Sequence, residues 1–248
     1  MRKTILGVPI DFMTVMEARD RLKKMISDGR FHLVTTPNPE MLVLAARDAR
    51  FRDILSRADL AVCDGKGLAL AASWRGVRKP VRLTGVDLVS VLANICAQEG
   101  RSLYLLGAAE GVAAAAAAAL KREFPALVIS GTDSGGRVSF DASGHLVIAA
   151  SGLERIAARR PDVLLVAFGH GAQEKWIADN IHGLPSVRLA VGVGGTFDFL
   201  AGKIRRAPWI FRRLGLEWAW RLCREPWRWR RIWNAVAVFP YLVLTEKH

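Results

Sequence analysis

The sequence predicts an α/β protein, and three observations carry that prediction. Short apolar, β-branched runs recur along the chain, helix-patterned stretches lie between them, and turn-forming residues separate the two kinds of segment. Strands alternating with helices build a mostly parallel, Rossmann-like sheet flanked by helices on both faces.

Taken in order, the first strand is His32–Thr35, closed by Pro37 and Pro39, and the first helix is Glu40–Arg47. Leu60–Cys63 is the second strand, ending at Asp64-Gly65, with a helix over Leu68–Trp74. Val86–Gln98 is a helical pattern that leads into a third strand, Ser102–Leu106. The alanine run from Ala113 to Ala119 is a strong helix former inside a helix spanning Glu110–Glu123, with no function assigned to it. The remaining strands are Leu127–Ser130, Asp162–Ala167 and Arg188–Val193, with helices over His145–Arg159 and Gln173–Ile181. Gly135-Gly136 marks a seam near 131–137. Residues 1–202 are expected to form the core and residues 203–248 a basic helical appendage.

The appendage has a composition of its own. Lys203 to Trp233 holds ten of the chain's Lys and Arg residues against two acids, a net +8 out of the formal +13, and six of its eight tryptophans. Guanidinium groups pair with phosphates and indoles settle at headgroup level, so this mixture suits an anionic, partly apolar membrane surface. On a helix over Leu214 to Glu225, Leu214, Trp218 and Leu222 share one face, while Arg221 and Arg224 lie on another with Arg213. Pro226 breaks that helix, and Trp227 to Trp233 forms a second. Basic amphipathic helices also bind nucleic acid, so a non-catalytic nucleic-acid-binding protein is the rival reading.

Hydrophobic content of 51% with 24% charged residues is that of a folded protein. No run reaches the roughly 18 apolar residues of a bilayer span. Ile232 to Leu244, interrupted by Asn234 and Pro240, reads as a packed or interfacial end. The N-terminal apolar patch is cut by Asp11 and lacks a signal-peptide pattern, so a peripheral protein on the cytoplasmic face of the membrane is expected. Cys63, Cys96 and Cys223 are scattered and the histidines show no ligand spacing, so no structural metal is expected, and His170 reads as a loop residue.

In sheets of this kind ligands sit beyond the carboxyl ends of the strands. Those positions hold Thr36 and Asn38, then Asp64-Gly65, the Gly107–Gly111 turn, Gly169-His170-Gly171, and Gly194-Gly195-Thr196-Phe197-Asp198. The turns at Gly107 and at Gly192–Thr196 can offer backbone N–H groups to a diphosphate, with Thr196 as a helix cap. Asp64 can take a proton from a hydroxyl nucleophile or cap the following helix, and the spacing leaves both open. Thr36 and Asn38 present short polar groups to the same crevice or act as turn formers. A dinucleotide fingerprint and a Walker A loop are both absent, which counts against a dehydrogenase or a nicotinamide-dependent epimerase. No Asp-x-Asp pair occurs, so Arg82 and the tail arginines are the groups available to a leaving diphosphate.

Several blocks occur together and in order: Thr35-Thr36-Pro37-Asn38-Pro39-Glu40, Cys63-Asp64-Gly65, Gly107, Gln173-Glu174-Lys175-Trp176, Gly192 to Phe199, Arg206-Ala207-Pro208, Gly215-Leu216-Glu217-Trp218 and Glu225-Pro226. They resemble the WecG/TagA/CpsF family of glycosyltransferases from about Val34 to Arg231. The resemblance implies a cofactor-free transfer, with inversion, from a UDP-sugar to an undecaprenyl-diphosphate-linked sugar. The implied donor is of the N-acetylmannosamine type or a related hexose or uronic acid, and the product serves cell-surface polysaccharide or exopolysaccharide synthesis. It implies Asp64 as base, Thr36, Asn38 and Gln173 as polar site residues, and Arg82 on the substrate. Gly107, Gly195, Thr196 and Asp198 join them as substrate-binding positions, and Arg221, Arg228 and Arg231 face the lipid diphosphate and membrane. The partners expected are thus donor, lipid-linked acceptor and anionic membrane, without nucleic acid; a homo-oligomer is compatible. One departure stands out: Gly171-Ala172 replaces the Pro-Lys usual before Gln-Glu-x-Trp.

Overall fold

The computed structural model describes residues 1–78, 80–136, 139–140, 146–147, 150–204, 208–209, 211 and 217–246. The chain opens with a hairpin of β1 (Arg2–Ile5) and β2 (Val8–Asp11), which the sequence reading missed. Its two turn residues, Leu6 and Gly7, have φ of 49° and 74°, the left-handed pair that matches the twist of a tight hairpin. Helix α1 (Val15–Ser27) follows. Thr14 and Glu17 form a reciprocal capping box at its start, a signal legible in the sequence.

Then come β3 (His32–Thr35), α2 (Pro39–Arg47), α3 (Ala49–Ser56), β4 (Leu60–Ala61), α4 (Lys66–Trp74), α5 (Gly85–Glu99), β5 (Ser102–Gly107), α6 (Val112–Glu123) and β6 (Val128–Asp133). A two-residue pair follows, β7 (Ser139–Phe140) and β8 (Leu146–Val147), and then α7 (Ala150–Arg159), β9 (Val163–Ala167), α8 (Ala172–Asn180), β10 (Leu189–Gly192) and α9 (Thr196–Leu200). Six strands form one parallel sheet in the order β4-β3-β10-β9-β5-β6. The expected α/β class and all six expected strands are therefore present.

Several boundaries differ from expectation, and two of them have a visible cause. The second strand stops at Ala61, after which Val62 keeps one bond to Thr35 O at 2.9 Å and a bridge to Asp11. The helix expected from His145 begins at Ala150, because Leu146–Val147 pairs antiparallel with β7. Much of the stretch beyond the expected seam near 131–137 lies outside the described residues.

One face of the sheet packs on α1, α5 and α6 through Leu22, Leu92, Leu105 and Leu120, and the other on α7 and α8 through Ile156 and Trp176. A third apolar cluster joins the hairpin, α2, α3 and α4 to the end of the chain. That end comprises α10 (Glu217–Arg224), a 3-10 turn at Pro226–Arg228, α11 (Trp229–Trp233), a π-helical turn at Asn234–Val238 and α12 (Phe239–Thr245). The break at Pro226 is as expected.

Phe239 and Val243 are buried against the third cluster, and Glu246 accepts from Leu6 N at 3.2 Å and Arg75 Nη2 at 2.5 Å. Full burial of a Phe side chain contributes roughly 1.5–3 kcal/mol. The helix Phe239–Thr245 is therefore seated on the core cluster through Phe239 and Val243, while Trp218, Trp227, Trp229 and Trp233 are exposed between Glu217 and Val238. No helix among the described residues is long and apolar enough to cross a membrane.

Candidate active site

The carboxyl ends of β3, β4 and β10 bring most of the expected residues to one place. Thr36, 6% exposed just after β3, donates from Oγ1 to Gly192 O at the end of β10, at 3.4 Å. Asp64 N donates to Pro37 O at 2.9 Å, which ties the loop after β4 to the loop after β3. Leu83 N donates to Cys63 O at 3.0 Å, so Arg82 arrives beside Asp64 from the connection between α4 and α5. Burial pushes the Cys63 thiol up to about 12, with Asp64 adding to the rise and Arg82 opposing it. Both charges thus lie within electrostatic reach of one buried sulfur.

The cap of α4 falls on Gly65, at φ 94° and without a side-chain bond to the helix, so Asp64 precedes the cap position. Asn38 does cap: its Oδ1 accepts from Met41 N at 3.0 Å, leaving Nδ2 to approach His170 Nε2 at 3.5 Å.

The expected cap at Thr196 is a correction. Gly195 takes the cap position, and Thr196 Oγ1 instead donates to Val193 O at 2.7 Å, since the tight Val193–Gly195 turn puts that carbonyl within the hydroxyl's reach. Thr196 also presses on α5, where a Cβ on Gly85 would lie 2.7 Å from its Oγ1. Gly195 is exposed and Asp198 half-buried in the first turn of α9.

Gln173 is 1% exposed, with both ends of its amide engaged. Nε2 donates to Glu174 Oε1 at 2.8 Å, and Oε1 accepts from Gly194 N at 3.0 Å. Glu174, fully buried, also accepts from Gly171 N at 2.8 Å, and burial raises its carboxyl above the usual range.

Residues 3–248 match the sequence model of the glycosyl transferase WecG/TagA/CpsF family. The chain belongs to that family. It is 33% identical over 215 residues to a Bacillus spizizenii protein, covering 87% of this chain and 79% of that one. It is 29% identical over 246 residues to one from Bacillus subtilis, covering 99% and 92%, and 29% identical over 249 residues to one from Staphylococcus aureus strain MRSA252, covering 98% and 92%. All three relatives are named N-acetylglucosaminyldiphosphoundecaprenol N-acetyl-beta-D-mannosaminyltransferase. The chain is accordingly a glycosyltransferase.

Three residues beside these candidates carry a role that the sequence did not assign them: Glu40, His170 and Glu174. Glu40 Oε1 accepts from Arg231 Nε at 2.5 Å, Arg231 Nη2 lies 3.3 Å from His170 Nδ1, and His170 Nδ1 lies 3.6 Å from Glu40 Oε2. Burial alone would raise the Glu40 carboxyl, but the hydrogen bonds and charge from His170 and Arg231 bring it down to about 2. This knot joins α2, the loop before α8 and α11. Beside it lies a pocket of ≈ 320 Å³ that also meets Arg47, Phe168 and Asn234. Glu40 in the Thr-Pro-Asn-Pro-Glu block was visible, but its partner lies 191 residues away and carries no local signal.

Of the tail arginines, Arg231 alone among the described side chains makes such a bridge to the core; Arg228 pairs with Glu225 at 2.8 Å within its own segment. The side chain of Arg221 lies outside the described residues, as do Arg213 and Leu214. Gly107 is set apart: three strand spacings separate β5 from β3, about 14 Å. Its φ of 106° and a would-be Cβ 2.7 Å from Ala167 O explain the glycine by close approach of two backbones. Gly171 at φ 82° likewise cannot be proline, whose ring holds φ near −65°, so the local backbone accompanies the departure noted at Gly171-Ala172.

Proposed function

We propose that the transferase moves a sugar of the N-acetylmannosamine type from a UDP-sugar to an undecaprenyl-diphosphate-linked N-acetylglucosamine, with inversion, at the cytoplasmic face of the membrane. The observation that carries this reading is the convergence of Thr36, Asn38, Asp64 and the Gly192–Thr196 turn at the carboxyl ends of three adjacent strands. The relatives' names support the transferred sugar and the lipid-linked acceptor, and the family resemblance supports the UDP donor and the inversion.

Asp64, half-buried beside Gly65, takes the proton from the acceptor hydroxyl as its oxygen attacks the anomeric carbon of the donor. The new C–O bond forms on the face opposite the bond that breaks, and UDP departs with that electron pair. Arg82 and the N–H groups of the glycine turns stabilise the charge on the departing diphosphate. Asn38 orients the sugars, while Thr36 and Gln173 hold the loops that surround them. The exposed tryptophans and arginines of α10 and α11 settle on the anionic leaflet and bring the site to its lipid-linked acceptor. This chemistry requires no cofactor, metal or nucleic acid.

The test is UDP release from UDP-N-acetylmannosamine with a short-chain lipid-diphosphate N-acetylglucosamine acceptor. Asp64→Asn should retain UDP binding and lose about two orders of magnitude in turnover. Nearly unchanged turnover would place the base elsewhere, and absence of transfer by the unaltered chain would remove the donor and acceptor assignment.

A further inference from the structure

The buried Gln173–Glu174 pair has a directional hydrogen-bond pattern that the transfer chemistry leaves unexplained. Each oxygen of Glu174 accepts from one N–H here, Oε2 from Gly171 N and Oε1 from Gln173 Nε2, each at 2.8 Å, while Gly194 N calls for an acceptor at the far end of the Gln173 amide. The Gln173 amide must therefore turn its NH₂ toward Glu174. Its oxygen is then left for Gly194 N at 3.0 Å, and an amide flipped the other way would set two donors against each other there. The packing holds this arrangement in place, since a Cβ on Gly192 would lie 2.5 Å from Gln173 Nε2 and 2.6 Å from Glu174 Oε1.

We propose that Glu174 is a positioning residue: it dictates the direction of the Gln173 amide, and through it tethers Gly194 and the turn after β10 to the turn before α8. The relay runs Gly194 N–H to Gln173, Gln173 to Glu174, and Gly171 N–H to Glu174. It joins two loops that the parallel sheet brings side by side but that share no strand pairing beyond Gly192–Val166. The exposed Gly195 and the start of α9 follow directly, so the relay sets where those backbone groups stand in the crevice. Its functional consequence rests on the reading above that this turn meets the donor diphosphate; the relay itself does not.

The geometry dictates an isosteric test. Glu174→Gln keeps the volume but offers one acceptor where two N–H groups need one, so either Gly171 or Gln173 loses its partner, and a flipped Gln173 releases Gly194. The double variant Gln173→Glu with Glu174→Gln restores every pairing with the direction between the two side chains reversed. The carboxylate now at position 173 would accept from Gly194 N and from the amide now at position 174, whose oxygen accepts from Gly171 N. Amide hydrogen exchange at Gly194, thermal melting and UDP affinity are measured on the full chain, the single variant and the double variant.

Glu174→Gln should speed Gly194 exchange by tenfold or more and weaken UDP binding at least fivefold. The double variant should restore Gly194 protection to within about threefold and recover most of the lost melting temperature. Unchanged Gly194 exchange in the single variant, or a double variant no better than the single one, would overturn the proposal. If the single variant does not fold, recovery of folded protein by the double variant takes the place of the exchange readout, and failure of both to fold overturns it too. An unaltered chain that binds no UDP would refute the donor reading instead, leaving the exchange result to judge the relay.

Discussion

Replacing Glu40 by Gln tests how strongly the end of the chain is locked to the active-site loops. The carboxyl moves from an ordinary 4.5 to about 2, against the opposing effect of its burial. A displacement of that size corresponds to about 3 kcal/mol favouring the charged form in the folded state. Glu40 is 25% exposed, but Arg231 is 42% exposed, so solvent screens part of their attraction and about 1–2 kcal/mol is the realistic loss. The sign follows from linkage: a carboxyl lowered by folding stabilises the protein above its ordinary value, and that contribution is lost as pH falls toward about 2. Denaturant melts of the parent and Glu40→Gln between pH 7 and pH 2 should show the variant weaker by about 1–2 kcal/mol at pH 7. The two should converge as the pH passes from about 5 to about 2. A gap independent of pH, or no gap at pH 7, would refute the ionic origin of the lock.

Phe239→Ala empties a fully buried site in the third apolar cluster and should cost about 3 kcal/mol in a denaturant melt. For the same reason, deletion from Lys203 onward should lower the melting temperature of the remaining core rather than leave it intact. Activity should survive EDTA, as expected for a chain without an Asp-x-Asp pair; loss reversed by Mg²⁺ or Mn²⁺ would overturn charge stabilisation by arginine and backbone groups. Arg231→Glu should cut turnover of a soluble short-chain acceptor, because it breaks the knot with Glu40 and His170. Arg228→Glu, whose partner is its neighbour Glu225, should mainly weaken binding to anionic vesicles, and equal behaviour of the two variants would contradict that division.

By itself the sequence determined the α/β class, the six sheet strands, the cluster of polar residues at strand ends and the family. Each of these is written in local pattern: β-branched runs, helix formers between them, and short blocks such as Asp64-Gly65 whose neighbours in the chain set their backbone. It also held signals that went unused, such as the Thr14–Glu17 capping box of α1 and the Asp48 cap of α3. Tertiary structure decided what depends on distant partners. Which residue stands at the cap position of α4 turned on Gly65 adopting a positive φ there, one residue beyond Asp64. Only the fold brings Gly194 and Glu174 around the Gln173 amide in the first turn of α8. The tail's composition announced a basic, aromatic surface, but not that Phe239 would fill a core cluster or that Arg231 would meet Glu40. That last contact joins residues 191 positions apart, and only the closing of the chain on itself brings such groups within hydrogen-bond reach.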